Sequence, residues 1–205
     1  MYLSILRTLL LSTGFVLLVS ACGIDTERPP DCRYVSGNLF ADPEFSTLNP
    51  PSQKKAWVYS QHAKDISFRY HVKEGTLSFV KTGTEPWGIL AQSIDVNELM
   101  GKRVELSAEL KLDLSEPKGA SGFPYGGGLT LLVKRGDTVR LSSDLAHEPH
   151  IGTHDWQRVS VVTNIPKRSS YLRAGFLHQA EGKMQVRNPA LRIVTVGCEP
   201  VVVNG

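Results

Sequence analysis

The stretch Arg103-Val104-Glu105-Leu106-Ser107-Ala108-Glu109-Leu110-Lys111-Leu112-Asp113-Leu114 alternates apolar and polar residues without a break. Successive side chains of an extended strand point to opposite faces. The period of two therefore predicts Val104, Leu106, Ala108, Leu110, Leu112 and Leu114 on a core face, with Glu105, Ser107, Glu109, Lys111 and Asp113 in solvent. A helix would scatter the same apolar residues around its circumference. On either side of this segment further strand candidates lie at 57–60, 66–72, 76–81, 88–96, 129–134, 138–143, 157–163, 171–178, 184–186 and 191–196. Turn formers separate these runs, as at Lys73-Glu74-Gly75, Lys134-Arg135-Gly136-Asp137 and Glu181-Gly182. A single helical turn is expected at 97–100, with Asn97 capping its start and Gly101 ending it. Many short strands with closely spaced turns predict an all-β fold, a sandwich or a barrel.

The chain of 205 residues and 22.6 kDa fits one domain with a short leader and tail. Apolar residues make up 41% and charged residues 21%, the balance of an ordinary globular protein. The net charge is +3, and its cations are dispersed with no basic stripe, so no nucleic-acid partner is expected. There is no internal repeat and no low-complexity block.

Residues 1–21 read as a secretory signal: Arg7 near the start, an apolar run from Thr8 to Val19, then the small residues Ser20 and Ala21. The apolar run is too short for a bilayer-spanning helix, which needs ~20 residues. The run Val19-Ser20-Ala21-Cys22 resembles a bacterial lipobox. That resemblance implies cleavage before Cys22, lipid on its sulfur and anchoring in a membrane. Gly23, where inner-membrane lipoproteins tend to carry Asp, implies the outer membrane. Two or more acyl chains would make the anchor stable. The alternative is an ordinary cleaved signal followed by a chance cysteine.

Residues 22–31 are polar, contain Pro29-Pro30, and read as a lipidated tether. The domain is expected over 32–198, with a tail at 199–205. Of three cysteines, lipid on Cys22 leaves Cys32 and Cys198, one before the first strand and one after the last. Export permits a disulfide between them, and domain ends often meet. Two free thiols are the alternative.

Four stretches, taken in order, resemble the galactose-binding-like jelly roll of many carbohydrate-binding modules. They are Asn38-Leu39-Phe40-Ala41-Asp42-Pro43-Glu44-Phe45, the pair Gln92-Ser93-Ile94-Asp95-Val96 with Val104 to Ala108, the entry His154-Asp155-Trp156-Gln157-Arg158, and the closing run from Gly182 to Arg192. The resemblance implies two antiparallel sheets, with ligands on a concave sheet or on the loops at one end. Many relatives also hold a structural calcium ion through an Asp in the last strand and groups near the opening motif. Here Arg187 and Asn188 stand at that place. A cation cannot ligate Ca²⁺, so no calcium site is expected, although Asp42 and Glu44 remain at the opening.

Sugar binding needs flat aromatic faces together with amide or carboxylate side chains. The residues expected to supply them are Trp57, Tyr59, Trp87, Gln92 and Tyr125. Partly buried packing is the structural alternative for every aromatic residue, Trp156 above all. His147, His150 and His154 lie close together with Glu148 and Asp155 and are weak zinc or copper candidates. Their spacing is not that of the H-E-x-x-H motif, and Pro149 breaks the helix which that motif requires. Gly126-Gly127-Gly128 precedes an apolar strand and lacks the Lys-Ser/Thr of a phosphate loop. No G-x-S-x-G elbow is present.

These features predict a non-enzymatic, lipid-anchored module of the bacterial cell envelope, with carbohydrate as ligand and no cofactor. A protein–protein scaffold of an envelope complex is the second expectation. A metal-dependent hydrolase using the His147–His154 loop is the third.

Overall fold

The computed structural model describes residues 31–48, 55–118, 124–143 and 150–201. The expected leader, Cys22, nearly all of the tether, His147, Glu148, Pro149 and residues 202–205 lie outside the described residues. Within them the chain forms ten strands: β1 Val58–Gln61, β2 Phe68–Lys73, β3 Thr76–Lys81, β4 Gly88–Ile94, β5 Arg103–Ser115, β6 Gly127–Arg135, β7 Thr138–Ser143, β8 Gly152–Asn164, β9 Tyr171–His178 and β10 Glu181–Val194. They assemble into two five-stranded antiparallel sheets, ordered β1-β4-β9-β6-β7 and β2-β3-β10-β5-β8. This is the jelly-roll sandwich that the resemblance implied.

The alternation in β5 explains why the sheets stack. All six of its apolar side chains are at most 5% exposed. They meet Leu129, Leu131, Val133, Leu172, Ala174 and Phe176 from the facing sheet in one continuous core. A fully buried Leu or Phe stabilises by roughly 2–3 kcal/mol, so the apolar face of β5 is enough to commit the segment to this layer.

The polar face of β5 departs from expectation in its first half. Glu105 and Ser107 are buried. The two ends of the domain lie over them, joined by a Cys32–Cys198 disulfide with Cα atoms 4.4 Å apart. The arm after Cys32 follows the second half of β10 through Val35 N to Ile193 O (2.8 Å) and Leu39 N to Leu191 O (2.8 Å). Tyr34 donates its hydroxyl to Glu105 at 3.0 Å, and Arg158 pairs with the same carboxylate at 2.5 Å. A buried carboxylate thus gains the partners it needs. Beyond Cys198, Val201 exchanges two backbone hydrogen bonds with Ser160, so the expected tail begins as part of the sheet.

Two other expectations need correction. The runs at 184–186 and 191–196 form one strand, β10, interrupted by a bulge. The turn at 97–100 is present, but Asp95 caps it, accepting from Asn97 N at 3.0 Å; Gly101 ends it with φ +76°.

Candidate functional site

Strands β8 and β10 flank β5, and each carries one residue more than β5 at nearly the same level. Between the pairs Leu110↔Gln157 and Leu112↔His154, Lys111 alone faces Asp155 and Trp156. Between Arg187↔Glu109 and Ala190↔Ser107, Ala108 alone faces Asn188 and Pro189. An inserted residue breaks the strict alternation and re-aims the side chains around it. Local chemistry accounts for the second bulge. Pro189 has no N–H to give the ladder, and Asn188 sits at φ +51°, a region Asn tolerates better than most residues. Asn38 of the opening segment fastens the bulge, donating to Pro189 O at 2.9 Å and accepting from Leu191 N at 3.1 Å.

The two bulges face one another across Glu109. The Arg187 guanidinium lies 4.3 Å from the centroid of the Trp156 ring. Its Nε donates to Glu109 at 2.7 Å, its Nη2 lies 2.6 Å from the same carboxylate, and Asn188 Nδ2 donates to the other Glu109 oxygen at 2.7 Å. Burial pushes the Glu109 carboxyl up, but the hydrogen bonds from Asn188 and Arg187 and the guanidinium charge hold it below its ordinary value. Beneath Trp156, Asp155 accepts from Lys111 Nζ at 2.8 Å and from Trp156 N at 2.9 Å. Indole, guanidinium, amide and carboxylate are thus fixed by mutual contact before any ligand arrives.

This layered wall borders a groove of about 500 Å³ on the outer face of the sheet. Glu44, His71, Ser78, Gln185 and Asn188 line it, with Lys73 and Glu74 at the β2–β3 turn. Its volume is in the range of small-ligand sites. Of its charged lining residues, Arg187 is paired with Glu109, and Lys73 stands with the carboxylates Glu44 and Glu74. Hydroxyl, amide, imidazole and carboxylate groups supply both donors and acceptors.

The expected binding residues fall elsewhere. Trp57 is 1% exposed and packs against Phe40, Phe45 and Phe176 at 4.9–5.3 Å, donating its indole N–H to Asp42 O at 2.7 Å. Tyr59 packs inward on Tyr70 and Phe79 and donates its hydroxyl to the Gln61 side chain; burial pushes it up to about 12. Gln92 is 2% exposed and accepts from Ala41 N at 3.0 Å. These three side chains support the sandwich: β1 and β4 turn Tyr59 and Gln92 towards the core, and Trp57, just before β1, is buried among the core rings.

Trp87 and Tyr125 remain half-buried at one end of the other sheet, where Gly88 and Gly127 both pair with His178. Trp87 meets the His62 ring edge-on at 6.1 Å, and Tyr125 donates to Glu116 at 3.2 Å. The structure brings these two to a common end and does not join them to the groove.

His150 is 4% exposed, and burial with the neighbouring His154 pushes it down to about 4. His154 Nε2 is engaged by Ile151 O at 2.8 Å. Among the described residues, the three metal-capable side chains that cluster are Cys32, Glu105 and Cys198, whose sulfurs form the disulfide. Asp42 directs both carboxylate oxygens at the turn Ser46–Leu48, accepting from the backbone and hydroxyl of Ser46 and Thr47 at 2.7–2.9 Å.

In the sequence, Arg187 and Asn188 stand out only as a departure from a calcium motif, and Trp156 only as packing. The legible signal was Asn188-Pro189 inside an otherwise alternating strand, which marks a bulge. Gln185 carried no signal of its own.

No protein-family model matches the chain, and no curated protein matches it. Solved structures do. One is the enzymatically active domain of tailspike protein 4 from bacteriophage CBA120, with a TM-score of 0.51 and 10% identity over 76% of this chain and 21% of that one. The chain thus spans about a fifth of the tailspike chain. Another is a family 61 carbohydrate-binding module in complex with β-1,4-galactotriose, at TM-score 0.46 and 15% identity, covering 76% of this chain and 98% of that one. A third is a xylan-binding domain of family 22 from Paenibacillus barcinonensis, at TM-score 0.45 and 13% identity, covering 69% and 88%. At such identities the likeness concerns the fold alone.

Proposed function

We propose that the protein is a non-catalytic glycan-binding module, held to the outer membrane through lipid on Cys22, and that a neutral saccharide occupies the groove beside Trp156 and Arg187. The observation that carries this reading is the pair of bulges flanking β5, which re-aims Trp156 and Asn188 to one place. Bulges are enriched next to functional sites. The groove's chemistry then selects the ligand class. Arg187 is already paired with Glu109, and Lys73 stands with two carboxylates, Glu44 and Glu74, so the groove has no spare cation and disfavours a phosphate or a polyanion. Gln185, Asn188, His71 and Glu44 offer planar groups that bond vicinal hydroxyls, and the indole supplies an apolar wall for sugar C–H groups. The prior ordering of Arg187 and Asn188 on Glu109 lowers the entropy cost of binding.

A glycan array probed with the full-length protein tests the reading. Binding should fall at least tenfold in Arg187→Ala and Gln185→Ala. Absence of binding to any glycan, with intact folding, would favour the scaffold reading. Mass spectrometry of the mature protein tests the anchor: an acylated Cys22 at the new N-terminus is expected, and cleavage elsewhere without acylation would contradict it.

A further inference from the structure

At the end of the sandwich opposite Trp87, the β6–β7 hairpin and the β8–β9 loop enclose a second cleft, of about 580 Å³. Val133, Arg135, Gly136, Thr138, Pro166 and Arg168 line it. Unlike the groove, its lining contains two cations and no carboxylate. Among the described residues neither guanidinium has a carboxylate partner. Asp137, at the tip of the same hairpin, does not line the cleft.

The frame that carries the two arginines is tied down. Arg135 ends β6 opposite Thr138 across a turn with Gly136 at φ +55°. The other loop is clipped to β6 by Ser170 N to Lys134 O at 2.9 Å, and to the 97–102 turn by Ile165 N to Lys102 O at 2.8 Å. Ser169 Oγ donates to Pro166 O at 2.7 Å and closes the turn from within. Inside that turn Arg168 sits at φ +66°, a conformation a non-glycine residue enters at a cost. Glycine would relieve it, and arginine stands there instead. Strained backbone held by its surroundings points to a functional role.

We infer that this cleft is a site for a phosphate monoester borne on a compact polar body. Two guanidinium forks need more acceptors than one carboxylate provides, and a dianionic tetrahedral group supplies them, with the Thr138 hydroxyl as a further donor. The cleft is larger than a bare ion requires, and Pro166 gives the body of the ligand an apolar wall. A sugar phosphate and a phospholipid headgroup share this chemistry.

Isothermal titration of the full-length protein in neutral detergent, with glucose 1-phosphate, inorganic phosphate, glucose, short-chain phosphatidic acid and short-chain phosphatidylcholine, tests the inference. Binding of glucose 1-phosphate, inorganic phosphate or phosphatidic acid is expected, and none of glucose or phosphatidylcholine; the relative affinity of the sugar and lipid monoesters distinguishes the two sources. Arg168→Gly should weaken binding at least tenfold, about 1.4 kcal/mol, while its thermal midpoint stays level or rises because glycine accepts φ +66°. Arg135→Gln should weaken binding likewise. Lys167→Ala, one residue away and outside the lining, should bind as the wild type does. No binding of any phosphate probe at ~10 mM, undiminished binding by Arg168→Gly, or equal loss in Lys167→Ala would overturn the inference, the last by revealing diffuse charge attraction.

Discussion

Replacing Cys32 and Cys198 together by alanine should destabilise the domain mainly through its unfolded state. The bond joins residues 166 apart in sequence. Loop-closure entropy for so long a loop corresponds to ~5 kcal/mol in the chain-entropy model. The folded state loses less, because the arms keep the Val35–Ile193, Leu39–Leu191 and Val201–Ser160 backbone bonds and the Tyr34–Glu105–Arg158 cluster. For a domain of this size each kcal/mol moves the melting temperature by ~2–4 °C, so a drop of roughly 10–20 °C is expected. Guanidinium unfolding should separate the causes. The midpoint should fall while the denaturant slope rises, since the uncrosslinked chain exposes more surface when unfolded. A loss below ~1 kcal/mol would refute the reasoning. So would a large loss with an unchanged slope, which would place the effect in the native state.

Three further outcomes follow from single contacts. Gly175→Ala should cost ~1–3 kcal/mol in urea unfolding, because a Cβ there meets Leu90 O at 2.2 Å and the Ala91 Cα at 2.5 Å, whereas Gly136→Ala, with open space around it, should cost less despite its φ of +55°; equal losses would contradict this. Asp42→Ala should destabilise by ~2–3 kcal/mol, because four donors from Ser46 and Thr47 lose a charged acceptor; an unchanged urea midpoint would count against it. Burial holds His178 and His150 at about 4 in the folded state, against ~6.5 unfolded. Below pH 6.5 the unfolded chain therefore takes up protons that the native protein refuses, so stability is full above that value and falls as pH drops towards 4. The loss approaches ~3 kcal/mol per histidine. Urea midpoints at pH 7, 5.5 and 4.5 should show it, and His178→Leu should flatten the curve; a level midpoint across this range would contradict the burial argument.

The fold was legible because its signal is local. Strict alternation in β5 needs no knowledge of the partner strands, and β3, β7 and β9 have the bounds their patterns suggested. The burial of Glu105 and Ser107 was not legible, because it depends on two arms distant in sequence meeting over that face. The site was mostly hidden for a related reason. Trp57 and Tyr59 satisfy every compositional rule for a sugar platform, yet strand register alone decides which face a side chain takes, and theirs is the inner one. Trp156 could not be assigned outward from alternation, because the bulge that re-aims it shows only in pairing with Lys111. Arg187 looked like the loss of a metal ligand; its meaning appears only beside Trp156 and Glu109.

The chain has three tryptophans in three settings: Trp57 in the core, Trp87 against His62, and Trp156 beneath Arg187. Their indole N–H signals in a ¹H–¹⁵N spectrum, followed while an oligosaccharide selected on the array is added, report which surface receives it. The Trp156 signal should shift with a saturable dependence while Trp57 and Trp87 stay in place. Movement of Trp87 with a stationary Trp156 would assign binding to the loop end and contradict the groove.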